Sequence, residues 1–153
     1  HARLYLVYMG PALRRADNVP SYGETDMSDR LSKNFTAHEF RCRCGKCKFS
    51  GGAIKVEDVS LGLVVLLESL RADLLNAPIT INSGRRCKDH NIAVRGAPES
   101  RHLEGDAADI TVEGYSPAMV FLALEQHPMS ERLGLSQYPT FVHVDVRGYR
   151  SRW

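Results

Sequence analysis

The chain has 153 residues, of which 43% are hydrophobic and 25% are charged, and this is enough for one globular domain with its own apolar core. The formal net charge of +2 is too small to indicate a nucleic-acid-binding protein. No apolar run approaches the ~20 residues that a membrane-spanning helix needs, so we expect no membrane span. We also expect a monomer that does not bind nucleic acid.

The first 33 residues differ in composition from the remainder. Residues 4–9 have the pattern of a strand and are followed by Gly10 and Pro11, whereas residues 17–33 are polar with few apolar positions. We expect residues 1–33 to form an N-terminal arm or linker and residues 34–153 to form the compact domain. No signal peptide is visible, and because the chain opens at His1 rather than Met, we expect an upstream segment to be missing.

Helical and strand patterns alternate along the compact domain. Capping-box spacing between Thr36 and Glu39 predicts a short helix, and apolar residues three and four apart predict the main amphipathic helix. The remaining elements follow from periodicity, proline and glycine. The predicted helices are 57–76, 88–95 and 117–126, and the predicted strands are 79–82, 107–112 and 141–147. This order predicts an α+β fold, with helices flanking a small, mainly antiparallel sheet.

Two of the predicted strands have a polar face. Side chains alternate along a strand, so His143 and Asp145 share the face opposite Val142 and Val144. In strand 107–112 the same alternation separates Asp109 from the apolar face. If these strands are neighbours, Asp109 and His143 lie side by side.

His102 precedes this strand in a loop that contains glycine, so it can reach the same place. Two histidines and one carboxylate are the ligand set of a zinc site whose fourth position stays open for chemistry. Each residue alone is more often a surface histidine or an ion-paired aspartate, but the three together favour a metal site.

The segments around these residues resemble a known family. The pattern Ser-x-His-x6-Asp at residues 100–109, with a later strand histidine, is similar to that of the zinc D-Ala-D-Ala carboxypeptidases. Their relatives include phage peptidoglycan endopeptidases and the signalling domain of hedgehog proteins. Residues 81–86 (Ile-Asn-Ser-Gly-Arg-Arg) resemble the family's Ser-Gly-x-Arg segment, and residues 142–148 resemble the end of a phage-rich branch. The resemblance covers residues 34–153.

The resemblance implies a hedgehog-like zinc peptidase fold and a set of roles. His102, Asp109 and His143 would bind Zn²⁺, and Arg86 would hold the carboxylate of the substrate peptide through its bidentate guanidinium. A structural ion pair is the alternative for Arg86. Ser100 would contact a ligand or substrate, or serve only in a turn. The resemblance implies that the substrates are peptidoglycan stem peptides. It also implies a secreted or phage-delivered protein that acts in the periplasm or cell wall.

The chain departs from the family at the general base, which must take a proton and return it to the leaving amine. Relatives have an acid three residues before the last ligand or a histidine five before it, where this chain has Thr140 and Tyr138. Asp145 is the nearest replacement, either as the base or as a partner that orients a histidine. Two weaker candidates are Glu104 and His127.

Four cysteines remain. Cys42, Cys44 and Cys47 are closely spaced, and Cys87 follows Arg86. Four thiolates suit a structural metal, disulfides are expected in an oxidising compartment, and free thiols are the third alternative. A link between Cys87 and the others would join the first helix to the substrate-binding loop.

We therefore expect a zinc metallopeptidase that hydrolyses peptidoglycan stems, either as a D-Ala-D-Ala carboxypeptidase or as an endolysin-type endopeptidase. The alternative is a zinc-containing module without catalysis that binds cell wall or forms part of a phage particle, and the departure at Thr140 keeps this alternative open.

Overall fold

The structure is a computed structural model that describes residues 27–153. The predicted strand at 4–9 and most of the predicted arm lie outside the described residues. The helices are α1 (Leu61–Asp73), α2 (Lys88–Ala93) and α3 (Pro117–Glu125), and the strands are β1 (Ile79–Ser83), β2 (Ala107–Val112), β3 (Gly134–Gln137), β4 (Val142–Asp145) and β5 (Ser151–Arg152).

The five strands form one sheet in the order β1-β2-β4-β3-β5. The first three pairings are antiparallel, and only β5 runs parallel to its neighbour β3. The α+β prediction with a mainly antiparallel sheet is therefore confirmed. α3 packs against β2, β3 and α1, and the buried core contains the apolar faces of the sheet and α1.

Residues at the start of the compact domain are tied to α1. Glu68 on α1 accepts hydrogen bonds from the Ser32 hydroxyl (2.5 Å) and from the backbone N–H of Asn34 (2.8 Å). Its pKa is raised by burial and lowered more strongly by these hydrogen bonds, so that the net shift is downward. The segment before residue 34 also contacts the residues that follow it. Asp29 Oδ1 accepts from the His38 backbone N–H at 3.1 Å, and an isolated bridge pairs Arg30 with Thr36.

Local chemistry explains where the elements differ from prediction. α1 begins at Leu61 rather than at 57, because residues 56–58 form a separate 3-10 turn and the Ser60 side chain caps the helix by accepting from Leu63 N–H. β3 and β5 were not predicted. In the described part of the chain, no helix combines the length and the apolarity needed to cross a membrane.

Candidate functional site

The register of two central strands brings the predicted metal ligands together. Asp109 on β2 is paired directly with His143 on β4, and the apolar neighbours Val142 and Val144 lie in the core. His102 lies in a 3-10 turn at 101–103. The chain reverses between that turn and β2 at Gly105, whose φ of 78° suits glycine.

Three ligand atoms converge on one point in this arrangement. Asp109 Oδ1 lies 3.2 Å from His102 Nε2 and 3.0 Å from His143 Nδ1. All three residues are buried, and these atoms lie within 4.8 Å of one another, close enough to hold one metal ion.

The second nitrogen of each histidine has its own acceptor. His102 Nδ1 lies 2.7 Å from the Gly84 carbonyl, and His143 Nε2 lies 2.8 Å from Asp145 Oδ2. Because both partners are oxygens that only accept, these nitrogens carry the protons of the neutral rings. The other two nitrogens therefore direct lone pairs at Asp109 Oδ1. Three acceptors without a donor between them fit a cation, and the donor set suits zinc.

The electrostatics favour positive charge at this point. Burial raises the pKa of Asp109, but its close contacts with the His102 and His143 rings outweigh burial and hold the pKa well below its usual range. Burial lowers the pKa of His143, and Asp109 and Asp145 more than reverse this, so the net shift is upward.

Asp145 contacts His143 on the side away from Asp109 and does not line the pocket into which the three ligands open. Its side chain is fully buried, and Arg147 donates to both carboxylate oxygens at 2.7 and 2.6 Å. Burial raises the pKa of Asp145, but Arg147 and His143 lower it more strongly. The net result is a pKa well below the usual range. Gly134 on β3 faces Asp145, and a Cβ there would collide with the carboxylate. Asp145 is thus placed to orient His143.

Arg86 contacts the site through the second oxygen of Asp109. Its Nη2 donates to Asp109 Oδ2 at 3.0 Å, and its Nε donates to Ser83 Oγ at 3.0 Å. The backbone N–H of Arg86 also donates to the His102 carbonyl at 2.9 Å. Arg86 therefore forms an ion pair with Asp109 and also lines the pocket, so its position is compatible with a structural role and with contact to a substrate carboxylate.

A pocket of about 560 Å³ opens from the three ligands. Arg86 and Ser100 line it, together with several residues that sequence reasoning missed, chiefly Glu99, Tyr138, Phe141 and Trp153. Trp153 lies against His143, with 5.2 Å between ring centroids. Glu99 precedes the 101–103 turn, Tyr138 and Phe141 lie in the β3–β4 connection, and Trp153 follows β5; no local pattern marks them as pocket residues.

The other predicted site residues lie elsewhere. Glu104 lines a neighbouring groove of about 840 Å³ but not this pocket. His127 bonds to Ser69 Oγ at 2.9 Å and accepts from Met129 N–H at 3.1 Å, outside the pocket. The four cysteines lie together as a second cluster.

The sheet and the convergent donors define a class of protein, one with a candidate metal site of two histidines and one carboxylate that opens to a pocket. Comparison with known proteins identifies the family: residues 33–145 match the model of the Peptidase M15 family, and the chain belongs to it. The chain is 33% identical over 123 residues to the zinc D-Ala-D-Ala carboxypeptidase of Streptomyces albus G. The match covers 78% of this chain and 48% of that protein, so the chain spans about half the length of this relative.

Proposed function

We propose that this chain is a zinc-dependent peptidase that hydrolyses the peptide stems of bacterial peptidoglycan. The observation that supports it best is the convergence of three acceptor atoms, with both histidines held by protein oxygens on their other nitrogens. Membership of a peptidase family and the similarity to a zinc D-Ala-D-Ala carboxypeptidase support the same function.

His102, Asp109 and His143 would hold the zinc ion. Zinc with three protein ligands polarises a carbonyl group and lowers the pKa of a water ligand to about 7. The chain's own contribution is to hold the three ligands, with Gly84 and Asp145 preventing rotation of the two imidazole rings.

The pocket supports a substrate that carries a carboxylate. Four arginines line it: Arg86, Arg95, Arg101 and Arg147. Arg101 is paired with Asp106 and Arg147 with Asp145, and Arg95 is exposed. Arg86 is largely buried beside Asp109, the carboxylate that would also hold the metal. We therefore assign the recognition of the terminal carboxylate to Arg86, and a contact with the peptide to Ser100.

Proton transfer needs a group that faces the pocket. The carboxylates on the pocket wall are Asp109 and Glu99, and Asp109 belongs to the proposed ligand set. Glu99 is exposed and has no ion pair with another described residue. We therefore propose Glu99 as the general base, and Asp145 as the residue that positions His143.

The test is turnover by the zinc-loaded protein. We expect release of D-alanine from a peptide ending in D-Ala-D-Ala, or cleavage of purified cell wall, and loss of either activity on chelation that added zinc restores. Product analysis distinguishes a carboxypeptidase, which needs a free C-terminus, from an endolysin-type endopeptidase, which cuts within the wall.

A second candidate is a zinc-containing module that binds cell wall, or a phage structural module, without catalysis. The observation that favours it is the exposed Thr140 at the position where relatives have an acid. Sedimentation of the protein with purified wall, without release of any fragment, would support this module over the peptidase.

A further inference from the structure

The cysteine cluster has the dimensions of a metal site. The Sγ atoms of Cys42, Cys44, Cys47 and Cys87 all lie within 4.8 Å of one another. Cys87 Sγ is 3.9 Å from Cys42 Sγ and 3.9 Å from Cys44 Sγ. A disulfide needs about 2.0 Å, whereas a tetrahedron with metal–sulfur bonds of about 2.3 Å has edges of about 3.8 Å.

Two distant segments form the cluster. The first is a tight turn that returns between Cys44 and Cys47, where Gly45 has a φ of 76° that glycine adopts without strain. The second is the N-cap of α2, where Cys87 arrives directly after Arg86. Cys87 lies between Cys42 and Cys44 rather than facing one of them, which is the arrangement of a shared ligand and not of a single pair.

Hydrogen-bond donors surround the sulfur atoms. The Cys87 backbone N–H donates to Cys42 Sγ at 3.5 Å. The Phe49 N–H donates to Cys47 Sγ at 3.4 Å, and the His90 N–H donates to Cys87 Sγ at 3.4 Å. The Ser50 hydroxyl donates to the Cys42 carbonyl at 3.2 Å and lies 3.3 Å from both Cys44 Sγ and Cys47 Sγ. Donors directed at sulfur stabilise thiolates bound to a metal.

We propose that these four cysteines bind one thiophilic divalent cation, of which zinc is the first choice, in a closed structural site. Soft thiolate ligands in a tetrahedral set of four are selective for zinc among the common divalent ions. On binding, the four thiols release their protons to solvent and no electron is transferred. With four protein ligands the ion has no open position and does no chemistry.

The site would anchor the loop that holds the first centre. Residues 84–87 supply the Gly84 carbonyl to His102 and the guanidinium of Arg86 to Asp109. The same loop packs on the segment that precedes Cys42: Arg85 N–H donates to the Phe40 carbonyl at 2.8 Å, and a Cβ on Gly84 would lie 2.7 Å from Phe40 Cα. A metal shared by Cys42 and Cys87 would hold these segments together.

The deciding measurement is X-ray absorption on zinc-loaded His143→Ala, in which we expect only the cysteine site to keep its ion. We expect one zinc per chain with sulfur ligands alone, at about 2.3 Å. The wild type should hold two zinc ions per chain. Absence of zinc from the variant, or nitrogen and oxygen ligands around it, would overturn the proposal.

Thiol counting provides an independent test on the wild type. After denaturation with chelator and without reductant, four reactive thiols per chain are expected; two or none would show disulfides and reject the site. The double variant Cys44→Ser, Cys47→Ser should lose one zinc and keep the other. If this variant does not fold, the wild-type counts decide. These readouts involve no turnover, so they stay valid whether or not the protein is a peptidase.

Discussion

The two ligand clusters are built on different parts of the fold. Asp109 and His143 lie on paired central strands, and each histidine is held by a second protein contact. The cysteines lie on a turn and a helix cap. The first cluster has three donors and faces a pocket, whereas the second has four donors, the number that a closed tetrahedral site needs.

The largest effect should come from removing a ligand of the first cluster. In His143→Ala we expect turnover to fall to the uncatalysed level, and one of two zinc ions to be lost, because two remaining ligands cannot retain the metal at this centre. Metal analysis and peptide hydrolysis measure this. The control is His127→Ala, a buried histidine outside the pocket, which should keep both ions; full zinc retention in His143→Ala would refute the ligand assignment.

Changing Glu99→Gln should lower kcat by about 10²–10⁴-fold, because the amide cannot accept a proton. Both zinc ions should remain, so this variant separates chemistry from metal binding at the open centre. Steady-state kinetics of wild type and variant provide the comparison. Glu104→Gln is the matched control in the neighbouring groove and should act like wild type. An unchanged kcat in Glu99→Gln would place the base elsewhere.

For Asp145→Asn we expect zinc affinity at the first centre to fall by about 10–100-fold, because the partner of His143 Nε2 loses its charge. The kcat at saturating zinc should stay near the wild-type value. Competition with a chelating dye gives the affinity, and circular dichroism checks that the variant is folded. A large fall in kcat with zinc fully bound would instead make Asp145 the base.

Arg86→Lys should raise KM by about tenfold for peptides with a free C-terminus, because lysine keeps the charge and loses the bidentate fork. Assays at saturating zinc are needed, since Arg86 also contacts Asp109. Arg95→Lys changes another arginine of the same pocket and serves as the control. Equal KM values for wild type and Arg86→Lys would remove the carboxylate role.

The smallest effect concerns the closed cluster. Ser50→Ala should lower the free energy of unfolding by about 1 kcal/mol, because buried Ser50 contacts two of the sulfur atoms, and it should leave turnover unchanged. Denaturant unfolding measures it. Ser116→Ala removes a helix cap of similar worth without touching sulfur. Only Ser50→Ala should speed the release of zinc to a chelator; equal release rates would contradict a metal at the cysteines.

Strand alternation explains why much of the first site was predictable. A period of two puts Asp109 and His143 on polar faces whatever the rest of the fold does, and the structure pairs them. β3 and β5 were missed because they have four and two residues and too little apolar alternation to mark a strand.

Alternation gives the face of a side chain and no more. It placed Asp145 beside His143 correctly, but it could not show that Arg147 encloses the carboxylate or which imidazole nitrogen it meets. Glu99 and Trp153 reach the pocket from loops far apart in sequence, and only the folded chain brings them together.

The two oxygens of Asp109 face different partners, Oδ1 the histidines and Oδ2 Arg86. A cation bound at the first oxygen would withdraw electron density from the second and weaken its hold on the guanidinium. Arg86 then becomes freer to meet a peptide carboxylate, so metal and substrate should bind cooperatively. By thermodynamic reciprocity, a substrate that occupies Arg86 must tighten the metal by the same factor as the metal tightens the substrate.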